Sequence, residues 1–188
     1  MKIVIGLGNP GEQYENTRHN AGFMAADSVC LRYSLPAFSM KGQTMISSGE
    51  IEGERVYILK PISFMNLSGS AIAPLISMNK ISNKDVIVMH DDLDIECGKV
   101  KAKMGGSSRG HNGLRDIDRV IGSDYYRVRI GIGRPALKPL VSSYVLSRFS
   151  DDQMEKINSA IDEISENISK ILHGNINEFV KAVGKMQL

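Results

Sequence analysis

The sequence predicts an α/β fold in one layered domain. Three observations predict it. Short apolar runs suited to strands alternate along the chain with segments of helical periodicity. The length, 188 residues and 20.7 kDa, fits one domain in which about 70% of the unfolded surface can be buried. The composition, 42% hydrophobic and 23% charged, is that of ordinary globular proteins.

The elements follow in order. Residues 2–7 are apolar and read as a buried strand, and residues 8–19 are rich in turn formers. Thr17 and Asn20 are candidate caps for a helix running to about Tyr33. Residues 43–51 and 54–60 flank Glu52-Gly53 and read as a hairpin. Lys60 to Asn66 reads as a loop, followed by a helix to about Asn79. Asp85 to Met89 is a short strand that ends at His90-Asp91. Residues 98–104 form a strand, 105–110 a Gly/Ser loop, 111–121 a helix and 127–132 a strand. Ile157, Ile161, Ile164, Ile168 and Leu172 fall at helical spacing, so a long helix covers 151–172. Gly174 ends it, and a short helix follows. There are no internal repeats and no low-complexity segments.

Several function classes are excluded early. No apolar run approaches the ~18 residues that a membrane-spanning helix needs. The apolar stretch at the N-terminus is too short for a signal-peptide core. Cys30 and Cys97 lie far apart without a CxxC pair, which fits a reduced cytoplasmic protein and offers no zinc framework. The net charge is only +2, but it is unevenly placed: residues 99–134 carry nine Lys/Arg against three Asp/Glu, a net +6. A localised positive patch on a near-neutral chain points to an anionic partner such as nucleic acid. Lys99, Lys101 and Lys103 alternate, and in a strand would form one row along one face.

Three motifs invite readings that their context refuses. Gly6-x-Gly8-x-x-Gly11 follows a strand, but the helix opens too late for its N-terminus to hold a pyrophosphate. Gly106-x-Ser108-x-Gly110 matches a nucleophile elbow, yet no suitable acid and histidine follow it. His90-Asp91-Asp92-x-Asp94 resembles a metal loop, but adjacent aspartates tend to point apart and no second ligand cluster stands out. No metal and no cofactor are expected.

What remains is a set of loop-borne Asn, His and Asp residues: Asn9, Asn16 to Asn20, Phe64-Met65-Asn66, His90-Asp91 and His111-Asn112-Gly113. A histidine can activate water, a carboxylate can hold its tautomer, and carboxamides can bind an oxyanion. With no convincing Ser, Cys or Lys nucleophile, direct attack by water is favoured.

Five blocks carry a resemblance to a known family. They are Ile5–Gly11 (IGLGNPG) with Tyr14 and Thr17–Gly22 (TRHNAG); Lys60-Pro61 with Phe64–Gly69 (FMNLSG); His90-Asp91-x-Leu93-Asp94; Gly105-Gly106 with Gly110–Leu114 (GHNGL) and Asp116-Ile117; and Arg129–Gly133 (RIGIG) with Pro135. Each is weak alone, but together they span about 130 residues in family order. On them the chain closely resembles the bacterial peptidyl-tRNA hydrolase family.

The resemblance implies a twisted mixed β-sheet flanked by α-helices, residues 1–188 forming one domain. It also implies cleavage of the ester joining a peptide, or an N-blocked aminoacyl group, to the 3′ ribose of tRNA, which recycles tRNA from peptidyl-tRNA dropped by the ribosome. By it, His19 is the general base, Asp91 the carboxylate that orients it, and Asn9 the residue that distinguishes an N-blocked substrate from a free aminoacyl group. Tyr14, Phe64, Met65, Asn66 and Asn112 match positions lining the peptide and 3′-end cleft, with Asn66 or Asn112 assisting the water or the oxyanion. Lys103 and Arg129 match the clamp on the tRNA 5′ phosphate, within the basic segment that the charge map located. Arg109 departs from the family, which more often has a small residue there. A cytoplasmic monomer is expected. The competing reading is a non-catalytic RNA-binding relative of the same fold, for which a base and its orienting carboxylate are unnecessary.

Overall fold

The structure, a computed structural model, describes residues 1–185. Its seven strands are β1 (Lys2–Gly6), β2 (Ser39–Lys41), β3 (Thr44–Ile51), β4 (Glu54–Pro61), β5 (Val86–Asp92), β6 (Val100–Met104) and β7 (Tyr126–Gly131). They form one mixed sheet in the order β2-β3-β4-β1-β5-β7-β6. The central strands β4, β1, β5 and β7 run parallel. β2, β3 and β6 join antiparallel at the two edges. The β3–β4 hairpin turns through Glu52 and Gly53, both with positive φ (47° and 84°), the backbone a tight primed turn needs and glycine adopts at no steric cost.

Both faces of the sheet are covered, as a largely parallel centre requires. Strand alternation divides β1 between two cores. Val4 packs with α1 (Ala21–Arg32), α5 (Asp151–Leu172) and α6 (Ile176–Lys185), while Ile3 and Ile5 face α2 (Ser68–Met78) and α3 (Asn112–Ile121). The long helix matches its isoleucine periodicity: Ile157, Ile161, Ile164, Ile168 and Leu172 are all buried. Ser150 and Gln153 close a capping box at its start.

Three features were not anticipated in the sequence. The edge strand β2 is only three residues and wholly exposed, so it carries no apolar alternation. A five-residue helix, α4 (Val141–Val145), occupies a stretch for which no element was expected, and none of its residues is buried. Asn20 does precede α1, but its side chain makes no cap hydrogen bond; it is diverted to the loop after β1, as described below.

The Gly-x-Gly-x-x-Gly run serves close packing. Gly6 and Gly22 let β1 and α1 meet backbone to backbone: a Cβ on Gly22 would lie 2.3 Å from the Met89 carbonyl oxygen and 2.5 Å from the Leu7 nitrogen. Because the obstruction is backbone, it cannot be relieved by rotating a side chain. Gly22→Ala is therefore expected to cost about 2–3 kcal/mol and to lower the melting temperature by roughly 5–10 °C, read by thermal denaturation.

Candidate functional site

The parallel strands β4, β1 and β5 end side by side, and the loops that leave them converge on one cleft of about 780 Å³. The crevice outside the carboxyl ends of parallel strands is where α/β sheets place their sites. Asp91 lies near the end of β5 and is 3% exposed. Its neighbour Asp92 points the other way, as strand alternation demands, and accepts from Arg129 Nε at 2.8 Å.

Asp91 is the hub. Its two oxygens lie 3.0 and 2.9 Å from His19 Nδ1. Its Oδ1 also lies 2.8 Å from His111 Nε2. His19 sits in a buried 3₁₀ turn, Arg18–Asn20, immediately before α1. His111 is the residue before α3, and its Nδ1 accepts from the backbone N–H groups of Gly113 and Leu114 at 3.2 and 3.3 Å. That cap requires Nδ1 to be unprotonated, so Nε2 carries the hydrogen donated to Asp91. His19 in turn donates from Nδ1, which leaves Nε2 as its ring nitrogen on the cleft side.

The electrostatics follow from burial and partners. Burial pulls the His19 pKa down, but the Asp91 carboxylate and its hydrogen bond outweigh this and hold the imidazole above its usual 6.5. Burial pushes the Asp91 carboxyl up, yet the two histidines facing it hold it well below the usual carboxylate range. His90 is fully buried, donates from Nδ1 to the Asp91 carbonyl at 2.8 Å, and packs edge-on to the His111 ring. Desolvation, reinforced by His111, lowers it to about 3.

Asn9 is set by two clamps. Its N–H donates to Asn20 Oδ1 at 2.8 Å, and Asn20 Nδ2 donates back to the Asn9 carbonyl at 3.0 Å. Its side-chain Oδ1 accepts from Met65 N–H at 2.9 Å. The carboxamide is thereby oriented with Nδ2 left over as a donor for the cleft. Met65 forms a buried floor, whereas Phe64 is 60% exposed at the rim. Asn66 and Asn112 are exposed on the turns that open α2 and α3. Asp116 ties these helices together, its Oδ2 accepting from Ser70 N–H at 2.8 Å. Tyr14 lines the same cleft.

The basic segment folds onto one side. Lys101 stands opposite Arg129 and Lys103 opposite Arg127 across the β6–β7 ladder, an unfavourable pairing of like charges. Arg129 is offset by Asp92 and the buried Arg127 by Asp118, at 2.8 and 2.9 Å. Arg127 also donates to the carbonyls of Gly106 and Ser107, which braces the glycine loop. Lys103 has no carboxylate partner among the described residues; burial and the neighbouring arginines lower its pKa. Lys99 lies before β6 and pairs with Glu96 at 2.7 Å, so the expected row of three lysines reduces to Lys101 and Lys103, of which Lys103 lines the cleft. Arg109 pairs with Asp94 at 3.3 Å.

All ten residues singled out in the sequence therefore border one cleft. His111, His90 and Asn20 belonged to the loop-borne set of the sequence but were given no role in the site, and Arg127 was visible only as a member of the basic segment. The His19, Asp91 and His111 ligand atoms lie within 4.8 Å of one another, a grouping hidden in the sequence, but the three are mutually satisfied by hydrogen bonds.

Comparison with known proteins places the chain. It matches the family described as Peptidyl-tRNA hydrolase over residues 3–187. It is 45% identical over 183 residues to the peptidyl-tRNA hydrolase of Anaplasma marginale, covering 97% of each chain. It is 43% identical to that of Bartonella henselae over the full length of both. The crystal structure of peptidyl-tRNA hydrolase from Acinetobacter baumannii superposes with a TM-score of 0.94 at 34% identity, covering 98% of this chain and 95% of that one.

The ring assignments above make a direct prediction. In imidazole NMR titrations His19 should titrate above 6.5 and His90 should stay neutral until about pH 3. Asp91→Asn should move His19 below 6.5, since the desolvation remains while the carboxylate is gone.

Proposed function

Given that the chain belongs to the peptidyl-tRNA hydrolase family, we propose that its cleft hydrolyses the ester between a peptide and the 3′ ribose of tRNA with His19 as the general base. The observation that carries this assignment is the His19–Asp91 pair. A buried carboxylate accepts from Nδ1 and leaves Nε2 toward the cleft.

A water held at Nε2 gives up a proton to His19 as its oxygen attacks the ester carbonyl. The carbonyl oxygen becomes an oxyanion, within reach of the carboxamides of Asn66 and Asn112 on the rim. Collapse breaks the bond to the ribose oxygen, which recovers the proton from the imidazolium. The products are a peptide carboxylic acid and the tRNA 3′ hydroxyl. The base contributes roughly 10²- to 10⁴-fold and an oxyanion donor about 10²- to 10³-fold. An ester has a better leaving group than an amide, so these groups suffice without a covalent intermediate. Asp91 keeps the imidazole in the reactive tautomer and stabilises its protonated form.

Recognition uses features shared by all substrates. The Asn9 Nδ2 donates to the carbonyl of the N-acyl group, with Met65 as floor and Tyr14 and Phe64 as walls for an apolar peptide. A free α-amine is cationic and meets no acceptor there to replace its hydration. The tRNA end is held through phosphate. Lys103, lacking a carboxylate partner, is the principal contact, and Arg129 assists from its pair with Asp92. The two cysteines are unpaired, which supports the reading of a protein working in the reducing cytoplasm; no helix among the described residues is long and apolar enough to cross a membrane.

Release of an N-acetyl-aminoacyl group from tRNA, measured with EDTA present, tests the reaction. Wild type should hydrolyse this substrate and spare unblocked aminoacyl-tRNA, and His19→Ala should abolish turnover while tRNA binding persists. Asp91→Asn should reduce turnover and move the acid limb of the pH–rate profile to lower pH, because the base must be neutral and its pKa falls. Tight tRNA binding without release by folded wild type would leave an RNA-binding protein instead. Lys103→Ala should weaken tRNA binding and flatten the log Kd against log salt slope by about 0.7–0.9; an unchanged slope removes it from the phosphate contact.

A further inference from the structure

Arg18 precedes His19 in the same 3₁₀ turn, yet its side chain leaves on the opposite side. It is 7% exposed. Its Nη1 donates to the Ser147 carbonyl (3.2 Å), Ser147 Oγ (2.6 Å) and the Arg148 carbonyl (2.8 Å), and Nη2 donates to Gln153 Oε1 at 2.7 Å. The guanidinium lies 4.2 Å over the Tyr144 ring and 5.4 Å from that of Phe149. No carboxylate lies within salt-bridge distance of it among the described residues, and its Nε is buried without a partner. A buried cation served only by neutral acceptors is expensive to keep, so the question is what it holds.

It holds the segment that carries α4. This helix has five residues, none buried, too short and too exposed to be stable by itself. It is nevertheless part of the cleft wall, which Val141, Val145 and Leu146 line. Its anchors are few. Tyr144 Oη donates to the Ile132 carbonyl, Phe149 N–H donates to the Asn16 carbonyl, Arg18 N–H donates to the Ser147 carbonyl, and Arg18 grips the chain just beyond the helix. Gln153, which closes the cap of α5, accepts from Arg18 as well. One short turn thus joins the proposed base to an apolar wall.

We propose that Arg18 is a positioning residue for substrate selection: it fixes α4 as an apolar platform for the peptide part of the substrate, acting on peptide capture and not on ester chemistry. This rests on the cleft accepting a peptidyl ester. The platform is part of the wall of the cleft that His19 also lines, and a longer apolar peptide has more surface to lay against it, so its benefit grows with peptide length.

The test compares N-acetyl-aminoacyl-tRNA with an apolar pentapeptidyl-tRNA in wild type, Arg18→Gln, Leu146→Ser and the double variant. Arg18→Gln is expected to raise KM for the pentapeptide about tenfold, the scale of a lost apolar contact, with kcat for both substrates and the acid limb of the pH profile unchanged. Leu146 is 43% exposed, so Leu146→Ser tests the platform without a folding penalty and should show the same length-dependent loss. The double variant should be no worse than Arg18→Gln alone, because the two act through one element. An equal loss on both substrates, a moved acid limb, or additive losses in the double variant would overturn the inference and make Arg18 a support of His19 or of general stability. If Arg18→Gln does not fold, a Leu146→Ser effect independent of peptide length overturns it. Turnover of neither substrate by wild type would overturn the reading of the cleft itself, a different result from equal losses in the variant.

Discussion

The Asp91 carboxylate is the constraint on which the rest of the site depends. A negative charge that deep in the sheet is tolerated only when it is hydrogen-bonded and faced by groups that can carry positive charge. His19 and His111 meet that need from two different loops. The same bonds that stabilise the carboxylate fix the tautomers of both rings, so the electrostatic requirement of the fold and the chemical requirement of a base are met by one arrangement. His90 adds a third ring that stays neutral and holds the Asp91 peptide group in place.

A similar economy governs the basic side of the cleft. Packing Lys101, Lys103, Arg127 and Arg129 onto one face of two paired strands is unfavourable unless some of the charge is offset. Asp92 and Asp118 take up the arginines, and Arg127 is turned into a brace for the glycine loop. Lys101 and Lys103 have no carboxylate partner among the described residues, and of the two Lys103 lines the cleft. The net +6 of this segment therefore overstates the number of cations available to a phosphate in the cleft, since most of its arginines are already paired with carboxylates.

The order of elements was legible because it is written in local pattern. The isoleucine spacing of α5, the Glu52-Gly53 turn and the apolar runs of β1 and β5 depend on residues close in sequence. β2 and α4 were not legible because neither buries a side chain, and without burial there is no periodicity to read. Asn20 shows a different limit. It occupies a helix-capping position, but a long-range partner in the Asn9 loop wins its side chain.

For the site, residue type and block order were enough to gather His19, Asp91, Asn9 and their neighbours as a group with water-activating chemistry. The alternating Asp91 and Asp92 pointing apart was also foreseeable, since strand geometry alone dictates it. What only the tertiary structure decided is who meets whom: His111 on Asp91, Arg129 on Asp92, Asn9 on Met65, Arg18 on the α4 segment. Those partners are brought together by the parallel order of β4, β1 and β5 and by helices packed on opposite faces. Local pattern determines which elements form and which residues can do chemistry. Pairing across 20 to 130 positions is set by how the elements pack, and no local pattern records it.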